Sequence, residues 1–263
     1  MTMKLFHVDA FTTSPFGGNP AAVCLLDDGP DGEWMQKVAR ELNLPATVFV
    51  RDTPGVRAIR WFAPGAELEL CGHGTLAAVH VLRETRRLAA DETASFDTRN
   101  GRLNAVWRDG WIELDFPALP EEAAEAPAGL ADALRATPKY VGRSRFDYLV
   151  ELENAAAVCA LNPDFNALRL IRTRGVIVTS RAEGEADFVS RFFAPSVGID
   201  EDHVTGSAHC CLTAFWSRRL GRTRFVARQV SPRGGILRVA LEGDRVRLAG
   251  QAVTVARGEL ALP

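Results

Sequence analysis

The sequence predicts an α+β protein of two pseudo-symmetric lobes, each a mixed β-sheet wrapped on one central helix. Three observations predict it. Arg60-Trp61-Phe62-Ala63-Pro64 recurs 131 residues later as Arg191-Phe192-Phe193-Ala194-Pro195. Asn19-Pro20-Ala21-Ala22-Val23-Cys24 recurs 135 residues later as Asn154-Ala155-Ala156-Ala157-Val158-Cys159. In both halves the first motif leads into a helix opened by glycine, at Cys71-Gly72-His73-Gly74 and at Thr205-Gly206-Ser207. Two repeats this long are not solenoid units, which are shorter and more numerous. They indicate a duplicated lobe, with a ligand cleft expected at the pseudo-twofold axis.

The elements follow in chain order. Lys4 to Phe11 and Ala21 to Leu26 are β-rich runs separated by the turn-forming Ser14-Pro15-Phe16-Gly17-Gly18. Trp34, Met35, Val38, Ala39 and Leu42 recur at helical spacing behind Asp31, a residue type that caps helices. Thr47 to Arg51 and Val56 to Phe62 read as strands, and Leu76, Val79, His80 and Arg83 describe a buried helix with an Ala-rich surface. The second half predicts strands at about 146–151 and 155–160, a helix at about 163–171, and strands at about 174–180 and 187–193. An apolar helix, Ala208 to Trp216, and strands at about 223–230, 235–241 and 244–256 close the chain. The Pro/Ala/Glu-rich stretch at 118–127 reads as a linker between a lobe of residues 1–117 and one of 128–263, whose last strands could pack back on the first.

Composition narrows the function. Hydrophobic residues make up 47% and charged residues 24%, the balance of a well-filled globular core. The net charge of −2 argues against a nucleic-acid partner, which favours a strongly basic face. Arg218, Arg219, Arg222, Arg224 and Arg228, the densest basic stretch, read as a solvated helix end and strand face, with attraction of an anionic substrate as the alternative. The N-terminus has no apolar core of signal-peptide length, and no run is long enough to span a membrane. Five cysteines without a C-x-x-C pair, and five histidines without H-E-x-x-H, point to a cytoplasmic, metal-free protein. Cys24, Cys159, Cys210 and Cys211 read as core residues.

The repeat locates the chemistry. Aligning Gly74 with Gly206 places Cys71 opposite His203, with Asp202 just before it. Two helix N-termini, one headed by a thiol and one by an imidazole, would then face one substrate. Such ends offer unpaired N–H groups and a positive dipole end, which bind carboxylates and stabilise developing enolates. The same field lowers a thiol pKa. Each residue also has a structural reading: Cys71 as a packed hydrophobe, His203 as a surface histidine, His73 as part of a turn, Asp202 as a cap.

With these residues in view, the chain resembles the phenazine-biosynthesis isomerase (PhzF-like) family, whose fold is that of diaminopimelate epimerase. The resemblance is carried by VDAFTTSPFGGNPAAV, ARELNLPATVFV, RWFAPGAELELCGHGTLAA, RFFAPSVGIDEDHVTGSAHC, QVSPRGG and GQAVTV, which are spread through nearly the whole chain. It implies two open barrels around central helices, a cleft between them, a homodimer and no metal or organic cofactor. The characterised phenazine-pathway member isomerises a dihydro-hydroxyanthranilic acid by shuttling a proton. His73, Asp202 and Ser207 match positions that look like substrate-binding and proton-relay residues, and Gly72 and Gly206 match the carboxylate cradle. Asn19, Gly74 and Thr205 complete the substrate-binding candidates. Two positions depart from the family. Its catalytic glutamate falls in an N-L-x-E-T segment that here reads Asn43-Leu44-Pro45-Ala46-Thr47, and His203 stands where the family usually has proline. The expected function is therefore isomerase or epimerase chemistry on a small anionic metabolite, with Ala46 in the glutamate slot and Cys71 and His203 as replacement acid–base groups. A non-catalytic binding protein and a Cys71-dependent lyase or hydrolase are the alternatives.

Overall fold

The computed structural model describes residues 2–26, 31–53, 56–89, 92–99 and 101–261. The chain divides into two compact units, residues 1–115 with 249–263, and residues 116–248.

In the first unit β1 (Thr2–Ala10) lies antiparallel to β2 (Asn19–Leu26), and β2 runs parallel to β3 (Ala46–Thr53). A parallel pair needs a crossover, and α1 (Gly32–Leu42) supplies it. Asp31 caps α1 by accepting from the Trp34 N–H at 2.9 Å, and Asn43, at φ 49°, ends it in the left-handed conformation. Met35, Val38 and Ala39 bury its apolar stripe with Phe49 and Phe62. β4 (Val56–Phe62) is antiparallel to β3 and carries the short β5 (Glu67–Leu68) on one end. It also pairs in parallel with β6 (Thr93–Thr98), which continues antiparallel into β7 (Gly101–Arg108) and β8 (Trp111–Pro117). The helix α2 (Gly72–Glu84) packs against β1, β2 and β3, burying Leu76, Ala77, Ala78, Val79, Val81 and Leu82. Each of its larger aliphatic side chains contributes roughly 1.5–3 kcal/mol of burial. The last strand, β18 (Ala252–Ala261), runs antiparallel along all of β1.

The second unit repeats this order. After β9 (Glu122–Ala123) and α3 (Leu130–Leu134), β10 (Tyr140–Arg143) is antiparallel to β11 (Asp147–Glu151). The latter is parallel to β12 (Gly175–Arg181), with α4 (Ala155–Cys159) and α5 (Phe165–Arg169) as the crossover. β13 (Phe188–Ala194) is antiparallel to β12, carries β14 (Ile199–Asp202), and pairs in parallel with β15 (Arg224–Gln229), which turns back into β16 (Gly235–Glu242). β17 (Arg245–Gly250) follows. The helix α6 (Gly206–Leu220) packs on β15 and β16. Antiparallel, parallel, antiparallel, parallel, antiparallel is the pairing pattern in both units. The α+β, pseudo-symmetric architecture is thus present.

Several expectations are corrected. The strand expected at 155–160 is instead the helix α4, Ala155–Cys159, because the Asn154 carboxamide accepts from the Ala157 N–H and caps a helical turn. Asn19 begins β2 while Asn154 caps a helix, so the second repeated motif is not structurally equivalent, and Cys159 is exposed instead of buried in a core. Cys24, Cys210 and Cys211 are buried; burial pushes the Cys24 and Cys210 thiols up to about 12, and Cys211 higher still. The helix expected at 163–171 is shorter, and 244–256 is two strands. Residues 118–127 group with the second unit, where β9 pairs with β10. Residues 249–263 group with the first, the packing-back of the last strands that the sequence allowed, because β18 is hydrogen-bonded to β1. The arginines of the basic stretch are exposed, as a solvated face requires, and Arg218 pairs with Glu121, Arg219 with Glu151 and Arg222 with Asp187.

Candidate functional site

In the first unit Cys71 is the N-cap of α2, with extended backbone and 5% exposure. Its carbonyl accepts from the Thr75 hydroxyl at 2.7 Å and the Thr75 N–H at 3.0 Å. Its Sγ lies 3.5 Å from Nδ1 of His73. Gly72 and His73 are part-exposed and Gly74 is buried. A Cβ on Gly74 would sit 2.9 Å from a Val48 methyl and 3.0 Å from both Cys71 Sγ and the Trp61 ring, so no side chain fits there without displacing the thiol. Ala46 and Asn19 open β3 and β2 and are fully buried. Ala46 pairs in register with Ala21.

In the second unit Thr205 is the N-cap of α6. Its hydroxyl donates to the Asp202 carboxylate at 2.6 Å, and its N–H donates to Gln229 Oε1 at 2.9 Å. Gln229 Nε2 returns a hydrogen bond to the Asp202 carbonyl at 2.7 Å, and the Ser231 hydroxyl donates to the His203 carbonyl. Ser207, in the first turn, accepts from Arg174 at 3.0 Å, and Arg174 forms a two-pronged ion pair with the buried Asp147. Burial nonetheless raises the Asp147 carboxyl above its ordinary range. The N-cap side chains of α2 and α6, Cys71 and Thr205, make no capping hydrogen bond, whereas the N-cap side chains of α1, α4 and α5 each do. Both long helices therefore present first-turn N–H groups suited to an anion.

The two heads correspond residue by residue, but not as glycine identity suggests. Arg60 forms a two-pronged ion pair with Glu67 at 2.7 and 2.9 Å, and Arg191 does the same with Glu201 at 2.7 and 2.7 Å. Trp61 pairs with Leu68 as Phe192 pairs with Asp202. Counting from these anchors, Cys71 corresponds to Thr205, Gly72 to Gly206 and His73 to Ser207. The burial sequence agrees: buried, part-exposed, part-exposed, buried over 71–74 and again over 205–208. The alignment of Gly74 with Gly206 is thus corrected, and His203 corresponds to Glu69, not to Cys71. Nor is Asp202 the cap of α6; it holds the cap residue's hydroxyl.

The structure brings Cys71, His73 and Gly74 together in one unit, and Asp202, Thr205 and Ser207 in the other. Gln229, which joins Thr205 to Asp202, and Arg174 with Asp147, which hold Ser207, were not singled out by sequence, since each arrives from a distant strand end. Among the described residues no cluster of three or more His, Cys, Asp or Glu is placed to hold a metal ion, and no helix is long and apolar enough to cross a membrane.

Residues 8–258 match the family described as phenazine biosynthesis-like protein, PhzC-PhzF. The chain is 49% identical to an uncharacterized isomerase of Halalkalibacterium halodurans, with all of both chains covered. Among solved structures it is similar to a PhzF-family phenazine biosynthesis protein of Enterococcus faecalis, at 38% identity and a TM-score of 0.95 over 100% of each chain. It shares its fold with a predicted epimerase of Pseudomonas aeruginosa, at 23% identity and a TM-score of 0.77 over 99% of this chain and 100% of the other. The chain belongs to the phenazine biosynthesis-like PhzC/PhzF protein family.

Proposed function

We propose that this chain is a cofactor-independent isomerase that moves a proton on a small, carboxylate-bearing metabolite. The observation that carries this reading is the head of α2, where the Cys71 thiol lies 3.5 Å from the His73 imidazole and makes no capping hydrogen bond to the first turn. The turn's N–H groups are suited to hold a carboxylate and to stabilise charge as it develops on an adjacent enolate. A thiol at a helix start and a neutral imidazole both exchange protons near neutral pH. Acid–base work that a carboxyl at position 46 would do therefore falls to Cys71 and His73, with Asp202 and His203 as further candidates at the head of α6. The names of the relatives, isomerase and epimerase, support the reaction class. The homodimer implied by the resemblance and the cytoplasmic location belong to the same proposal.

Ala46 favours a second reading, a binding protein that kept its anion-holding helix heads, because a buried methyl group replaces the ionisable group. Incubation with candidate carboxylates in D2O separates the two. The isomerase washes deuterium into a carbon position; a binding protein protects its ligand without exchange.

A further inference from the structure

From the buried polar groups of the first unit, the geometry points to Trp61 as a ligand-binding residue: its indole N–H is a donor for a carboxylate group seated beside Ala46 at the head of α2. This rests on the reading of α2 as an anion-binding helix start, and it adds a side chain that no feature of the sequence marks as polar machinery.

Three observations carry it. Trp61 is 2% exposed, and its Nε1 has no hydrogen-bond partner among the described residues. A buried donor left unpaired is costly and rare, so each instance calls for an explanation. Second, the indole is aimed at the helix head. Val48 and Trp61 are partners across β3 and β4, hence on one face, and the Trp61 Cδ1, one bond from Nε1, lies 3.0 Å from where a Gly74 Cβ would be. Third, Ala46 shares that face, two residues from Val48 and on the diagonal to Trp61, a separation that a long ring bridges. The corresponding diagonal in the second unit shows it closed: the Phe192 ring comes within 2.3 Å of where a Gly175 Cβ would be. Phenylalanine fills that place without a donor, whereas Trp61 brings an N–H to a place that a methyl group borders. Thr47 Oγ1, also without a partner, belongs to the opposite face of β3 and is not part of this set.

The test follows the five indole N–H cross-peaks in 1H–15N spectra during titration with sodium formate and acetate against sodium chloride at equal ionic strength. The Trp61 peak is assigned by its loss in Trp61→Phe or, should that variant not fold, by elimination using phenylalanine replacements of Trp34, Trp107, Trp111 and Trp216. The expected result is a saturable downfield shift of the Trp61 peak alone, with half-saturation at about a millimolar or weaker for so small an ion. In Ala46→Glu the peak should already be shifted and formate should no longer move it. A Trp61 peak that formate and acetate leave in place, or that chloride moves equally, overturns the assignment. Because the readout is not turnover, a shifted peak without deuterium exchange would retain this subsite while removing the isomerase reading, and exchange without a shift would do the reverse.

Discussion

Cys71 stands at the head of α2 where Thr205 stands at the head of α6. Each cap carbonyl accepts from the side chain four residues on, Thr75 at 2.7 Å in one unit and His209 Nδ1 at 2.8 Å in the other. The duplicated frame thus keeps one geometry while the chemistry of the cap differs: a thiol next to an imidazole in the first unit, a hydroxyl held by a carboxylate in the second.

The two ion pairs that anchor this frame differ in burial, and their loss should differ accordingly. Arg191 and Glu201 are 10% and 11% exposed, and Arg191 also donates to the Leu161 carbonyl at 2.7 Å. Arg60 and Glu67 are 29% and 19% exposed. Removing one partner of a buried pair strands the other, at about 3 kcal/mol or more, whereas exposed pairs contribute about 1 kcal/mol or less. Urea denaturation of Arg191→Ala should therefore show the larger fall in midpoint, with Arg60→Ala clearly milder.

The Gln229 carboxamide joins the Thr205 N–H to the Asp202 carbonyl inside the second unit. Gln229→Ala removes both bonds and takes the acceptor from the buried Thr205 N–H, at roughly 1–3 kcal/mol. A lower denaturation midpoint with an unchanged slope is expected.

His209 makes stability depend on pH. Complete burial holds its imidazole down to about 4 in the folded protein, against 6.5 as the ordinary value. Unfolded chains take up this proton below pH 6.5, folded ones only near 4, so the contribution is full above 6.5 and is lost as pH falls through that window. The shift corresponds to about 3 kcal/mol. His80, also lowered by burial, acts in the same direction, while the raised Asp147 carboxyl acts in the opposite one. The difference between wild type and His209→Gln in thermal denaturation from pH 7 to 4 isolates the imidazole; a difference that does not vary with pH would contradict the assignment.

Assembly is open to a direct measurement. Sedimentation at micromolar concentration should show a homodimer of the 28.6 kDa chain; a single monomeric species would remove that part of the proposal.

Much of the frame was legible in the sequence because periodicity and capping chemistry are local. Asp31 announced α1, and the Arg60 and Arg191 motifs announced twin strands. The misreadings arose where local signals were degenerate. Ala155 to Cys159 is a short apolar run, which periodicity alone cannot assign to strand or helix, and a single Asn154 cap decides it. Glycine identity aligned Gly74 with Gly206, although Gly74 is glycine for its crowding against Val48, Cys71 and Trp61, and Gly206 opens a helix. The Arg–Glu twins were hidden because Glu67 follows its arginine by 7 residues and Glu201 by 10. An unpaired indole N–H is a tertiary property, so Trp61 could be read only as a hydrophobic residue.

The central claim is that the head of α2 exchanges a proton with a carbon acid. Its most direct test is deuterium incorporation from D2O into a panel of small carboxylates by wild type, Cys71→Ala, His73→Ala and Ala46→Glu. The account predicts exchange by the wild type, a loss of about two to four orders of magnitude in each alanine variant with folding retained, and a gain of the ordinary family isomerisation in Ala46→Glu. Undiminished exchange in both alanine variants would contradict it.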